Sequence, residues 1–149
     1  AVFAQFVMVT VALVLLGAAF VRHDFSVEYV AQNSNSALPV MYRVAAIWGA
    51  HEGSLLLWSW ILAAWTLAVA LRSRSLPAHF AARVLGVLGI VSLGFYLFTL
   101  ATSNPFLRLS PAPPDGRDLN PLLQDPALVA HPPMLYAGYV GFAVAFAFA

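Results

Sequence analysis

The sequence predicts an all-α, polytopic membrane fold, and three observations predict it. Only 9% of the residues are charged and 62% are apolar, against roughly 25% charged in an ordinary soluble domain. Such a chain cannot present a wetted surface, so the lipid bilayer is its expected partner. Four runs approach or exceed the about 20 apolar residues that carry a helix across a bilayer. The linkers between them sort by charge: one holds arginine without acid, and the other two mix both signs. All the basic residues are arginine and the net charge is only +1, so no nucleic acid is expected as a partner. With no cysteine there is no disulfide, thiolate metal site or redox thiol, and bound metal chemistry would fall to His23, His51, His79 or His131.

The first span is residues 1–21, softened only by Gln5 and Thr10. It lacks a basic leader and is longer than the apolar region of a signal peptide, so it reads as retained. Residues 22–43 form a linker in which Asn33 to Ser36 make a polar turn before Pro39. The second span, 44–71, carries "WGAHEGS" at its outer end. The linker 72–83 holds Arg72, Arg74 and Arg83 and no acid, which marks it as cytoplasmic by the positive-inside rule. The third span is 84–102. The linker 103–133 contains eight of the ten prolines. Its "PPDG" reads as a turn, and Asn120 and Asp125 read as N-caps ahead of Pro121 and Pro126. Two short surface helices follow from this, the second ending at His131 because Pro132 disfavours α conformation there. The fourth span is 134–149, opened by the proline pair. Apolar sequence at both ends suggests part of a larger membrane domain.

Ionisable residues inside a span point to function by default. At helical spacing Trp48, His51 or Glu52, Leu55 and Trp58 share one face, with Gly49 and Gly53 permitting close approach of another backbone. His51 and Glu52 therefore read either as a helix-end pair tied into local hydrogen bonds or as a polar site facing a cavity. Trp48 reads as a belt residue or as part of a flat aromatic surface, and Trp60 and Trp65 as packing residues. Arg43 either snorkels to headgroups or meets a carboxylate of a ligand. His23 and His79 read as solvated surface residues. Gly86, Gly89, Gly138 and Gly141 read as close-packing points. His131, framed by prolines at the membrane surface, is the histidine best held for a metal.

Three stretches, "FSVEYVAQNSNSALPVMYRVAAIWGAHEGSLLLW", "NPF" and "LNPLLQDPALVAHPPMLYAGYVGFAVAFA", together resemble the N-terminal region of the CcmF/NrfE-type cytochrome c haem lyases. The resemblance runs nearly the whole chain. It implies a multi-pass protein of the bacterial inner membrane that takes haem b from a periplasmic, CcmE-like chaperone. The haem is then presented to the Cys-x-x-Cys-His motif of apocytochrome c, with CcmH/CcmI-like partners, for thioether attachment. The histidine before "PP" corresponds to a periplasmic axial ligand of haem iron, here His131. With haem as the ligand, the residue-by-residue reading expects Trp48, His51 and Glu52 to line or support its site without ligating iron, and Arg43 to contact a propionate. A second axial histidine, a tryptophan-rich segment and the ligands of a resident second haem belong to other parts of the family's chain.

Two other classes compete. A proton-coupled transporter would use His51 and Glu52 as a relay and needs a polar path along the second span, where only Ser54, Ser59 and Thr66 are available. A structural subunit of a membrane complex would tolerate loss of His131.

Overall fold

The computed structural model describes residues 1–149. It is all-helical, and four of its helices are long and apolar enough to cross a membrane: α1 (Val2–Val21), α4 (His51–Arg72), α5 (Ala78–Thr102) and α6 (Pro126–Phe148). Two short helices, α2 (Glu28–Asn33) and α3 (Val40–Ala46), lie in the first linker. The chain is a multi-pass membrane protein. One end of the bundle carries the two long linkers, here called the cap; the other carries the arginine linker.

Helix α4 is the hub, packing on α1, α5 and α6. Between the helices Leu57, Ile61, Leu62, Val84, Leu88 and Val140 form the apolar core of the span region. Three polar side chains inside the spans are paired across helices. Gln5 Nε2 donates to the Tyr96 hydroxyl at 2.8 Å, and Trp60 Nε1 donates to Thr10 Oγ1 at 2.9 Å. Trp65 Nε1 reaches the Ala137 carbonyl of α6 at 3.1 Å. In hydrocarbon no water can satisfy such groups, so a protein partner takes its place in these three pairs, while the hydroxyls of Ser59, Ser92 and Thr99 are buried without one.

Three span boundaries differ from the sequence reading. The second span begins at His51, not residue 44, because the chain folds as α3, a turn at Ile47–Ala50, and then α4. Trp48 therefore does not share a helical face with His51 and Leu55. The third begins at Ala78, not 84, since Pro77 starts the helix and the arginine linker shrinks to a 3-10 turn at Ser73–Ser75. The fourth begins at Pro126, not 134. Asn120 accepts from the Leu122 N–H over a single 3-10 turn, Pro121–Gln124. Asp125 caps α6 by accepting from the N–H groups of Ala127 and Leu128. The expected second surface turn is the beginning of α6, which runs through Pro132 and Pro133 without stopping at His131.

Helix α1 ends at His23, which takes φ 55°. The Asp24 N–H reaches the Ala19 carbonyl at 3.0 Å and the His23 N–H the Phe20 carbonyl at 3.3 Å. That is the six-to-one, five-to-two pattern of a left-handed helix stop, usually built on glycine. His23 is half-buried beside Phe25, not a solvated surface residue.

The cap is built by the two linkers closing on each other. Glu28 N–H donates to Leu107 O at 2.8 Å, Leu109 N–H to Ser26 O at 2.8 Å, and Arg117 N–H to Ala31 O at 2.7 Å. Leu119 is driven fully inside, against Leu16, Phe20, Val27, Tyr29, Val30 and Ile47. Two carboxylates pin the rim. Asp24 accepts from Ser26 and pairs with Arg108 at 3.0 Å, and Asp115 accepts from the Ser36 backbone and hydroxyl at 2.9 and 2.7 Å. The hydrogen bonds from Ser26 and from Ser36 hold these carboxyls below the ordinary range. A depressed carboxyl pKa stabilises above the unfolded value and is lost as pH falls through the folded one. Limited proteolysis of residues 103–120 is therefore expected to accelerate below about pH 4, with the spans still protected.

Candidate functional site

The cap end holds Arg43, Trp48, His51, Glu52 and His131, and its irregular turns recur to one device, a side chain satisfying a backbone group left open. Tyr29, 3% exposed, places its hydroxyl in the break between α3 and α4. It accepts from the Ala50 N–H at 3.0 Å and shares its proton among the carbonyls of Ala46, Ile47 and Ala50 at 3.2–3.3 Å. Burial pushes this phenol well above its usual range, so it remains a donor. Gly53 completes the break. A Cβ there would run into the Ile47 carbonyl and come within 2.6 Å of the Tyr29 oxygen. Sequence reading missed Tyr29, since nothing local marks an aromatic residue that serves a turn about 20 positions away.

His51 and Glu52 open the first turn of α4. The His51 ring is exposed, with Nδ1 3.0 Å from the Ser103 hydroxyl and its plane edge-on to Phe98. Glu52 faces a small cleft of about 60 Å³ with Glu28, Tyr29, Gln32 and Asn104. An acid in the first helical turn is favoured by the helix dipole, which accounts for one charge in an apolar run. These contacts run toward α2 and α5.

Trp48 lies in the turn before α4, half-buried, and packs against both apolar cores. Its Nε1 donates to the Val129 carbonyl of α6 at 3.0 Å. Arg43 is engaged too: Nε donates to Leu38 O at 2.7 Å and Nη1 to Val21 O at 3.1 Å. The guanidinium thus ties α1 to α3, and it is committed to these carbonyls rather than extended to headgroups.

His131 sits in the second turn of α6 and is exposed. Its ring takes part in no hydrogen bond or salt bridge within the chain, and exposed Met134 and Leu135 follow it. No group of three or more His, Asp or Glu side chains stands close enough to hold a bare metal ion. What the residues fit is a metal centre that brings most of its own ligands and takes one imidazole from the protein. Of the residues named from sequence, the fold brings Trp48 to the turn that precedes His131 and carries His51 and Glu52 to other partners.

Among the glycines read as packing points, Gly86, Gly89 and Gly138 have nothing within 4 Å of an added Cβ, whereas Gly141 lies 3.8 Å from the Trp65 ring. The transporter reading also loses its path. Ser54 donates back to the Trp48 carbonyl, Thr66 to Leu62 O, and Ser59 is buried without a partner. The largest cleft, about 550 Å³ among Trp65, Val69, Arg72, Val144 and Phe148, lies at the arginine end.

The family described as "Cytochrome C assembly protein" matches residues 48–149. Similar relatives include the cytochrome c-type biogenesis protein CcmF of Pseudomonas aeruginosa, 62% identical over 150 residues covering 100% of this chain and 23% of that protein. CcmF of Escherichia coli is 62% identical over 145 residues, 97% of this chain and 22% of its own. NrfE of Haemophilus influenzae is 52% identical over 138 residues, 93% and 22%. The chain spans less than a quarter of the length of these curated relatives. No solved structure matches it. With four spans, an interlocked cap and this similarity along its length, the chain belongs to the cytochrome c assembly family of membrane proteins that serve c-type cytochrome biogenesis.

Proposed function

We propose that this chain is part of a haem lyase of the bacterial inner membrane, with its cap in the periplasm and His131 as an axial ligand of haem iron. The observation that carries the reading is an exposed imidazole with unengaged nitrogens, fixed at the cap end beside apolar helix surface. The acid-free arginine linker at the opposite end supports the orientation. Haem, when bound, supplies the iron that needs axial ligands and the vinyl groups on which thioether bonds to an apocytochrome form. The chain's own part is to offer one nitrogen lone pair at a set position and to keep the surrounding surface apolar and planar enough for a porphyrin. In this reading a CcmE-like chaperone delivers the haem and CcmH/CcmI-like proteins bring the apocytochrome's Cys-x-x-Cys-His motif. His51, Glu52 and Arg43 shape the cap around the site and do not ligate.

Chemical rescue tests the ligand role directly. In the full-length protein, His131→Gly should lose the low-spin haem spectrum and recover it when free imidazole is added. A spectrum unchanged by the substitution would remove His131 from the coordination sphere.

A further inference from the structure

Helix α6 contains two adjacent prolines in its interior, Pro132 and Pro133. In an α-helix the N–H of residue i bonds the carbonyl of residue i−4, so these prolines leave the carbonyls of Leu128 and Val129 without their helical donors. An unpaired carbonyl in a membrane protein is costly and weakens the turn that carries it. The Val129 carbonyl is nevertheless satisfied, because Trp48 Nε1 donates to it at 3.0 Å. The indole stands where the Pro133 amide would have acted.

Trp48 is well held for that duty. Its own carbonyl accepts from the Ser54 hydroxyl at 2.9 Å, its N–H donates to Ala45 O at 3.2 Å, and its ring packs against both apolar cores. Gly49, next to it, lies against Leu119 and Leu123 of the other linker. Val129 is two residues before His131, in the same turn of α6. The rotation of that turn about the helix axis, and with it the direction of the imidazole, is therefore referred to the α3–α4 turn through one hydrogen bond.

We propose that Trp48 is a positioning residue for His131: its indole N–H replaces the amide that Pro133 lacks and fixes the turn of α6 from which the imidazole projects. This rests on the reading of His131 as a haem ligand and deepens it. It also replaces the expectation that Trp48 lines a flat aromatic surface.

The test is a rescue cycle in the full-length protein. Trp48→Phe keeps a ring and removes the donor; Pro133→Ala returns a backbone N–H to the Val129 carbonyl. One neutral hydrogen bond corresponds to roughly a 2- to 10-fold change in an equilibrium. Trp48→Phe should raise amide exchange at Ala130, His131 and Met134 and lower haem occupancy by about that factor. The double variant Trp48→Phe/Pro133→Ala should restore both. An exchange rate at these amides unmoved by Trp48→Phe, or not restored by Pro133→Ala, overturns the positioning role. If exchange responds and is rescued while the haem spectrum never changes, the hold of Trp48 on α6 does not reach the imidazole and the positioning role is overturned, whereas a spectrum also unmoved by His131→Gly overturns the ligand reading itself.

Discussion

Alanine at position 131 is expected to abolish cytochrome c maturation by the full-length protein, while alanine at His79 leaves it intact. The physical reason is coordination. An axial imidazole contributes a bond to iron that a weaker ligand does not replace, and no group of three or more His, Asp or Glu side chains stands ready to take the metal over. Residues that merely support a metal ligand typically cost 10- to 100-fold when removed, so loss of the ligand itself should exceed that range. His79 lies in the first turn of α5 at the arginine end, on the far side of the bundle from the cap. The measurement is the amount of holocytochrome c formed in cells whose own copy is deleted. Normal maturation with His131→Ala would return the chain to the structural-subunit class.

The second large effect belongs to Gly53. Gly53→Ala places a methyl group against the Ile47 carbonyl and 2.6 Å from the Tyr29 oxygen. Overpacking commonly costs about 1–3 kcal/mol when side chains can give way; here the obstacle is backbone, which puts the expected loss near the upper limit. The α3–α4 turn must move, and the Tyr29 hydrogen bonds to Ala46, Ile47 and Ala50 go with it. Trp48 lies in the same turn, so its bond to Val129 should weaken as well. Gly89→Ala is the matched control, because nothing lies within 4 Å of a Cβ at that position and alanine is the better helix former by about 1 kcal/mol. Unfolding of the full-length protein in detergent should thus show a lower midpoint for Gly53→Ala and an equal or higher one for Gly89→Ala. Equal midpoints for the two variants would contradict the close approach at Gly53.

The four spans follow from runs of apolar residues too long for anything but a bilayer or a large core, because hydrocarbon requires every backbone group to be paired within its own helix. The caps at Asn120 and Asp125 follow from local chemistry, since an Asx side chain ahead of proline can satisfy only the N–H groups directly after it. The family resemblance marked out His131 by motif, and the fold places that ring free at the cap end.

What sequence could not deliver was every feature resting on a distant partner. The break at Ile47–Ala50 is invisible in an unbroken apolar run, because its polar groups are paid for by Tyr29. The helix stop at His23 lacks the expected glycine. The passage of α6 through a proline pair contradicts local preference, and it is tolerated where Trp48 supplies the missing donor to Val129. Sequence by itself determined that the chain is helical, lipid-embedded and a cytochrome c assembly protein, because length, composition and motif are properties of contiguous residues. Only the tertiary structure decided where helices break or continue, because those outcomes depend on hydrogen bonds between groups far apart in the chain.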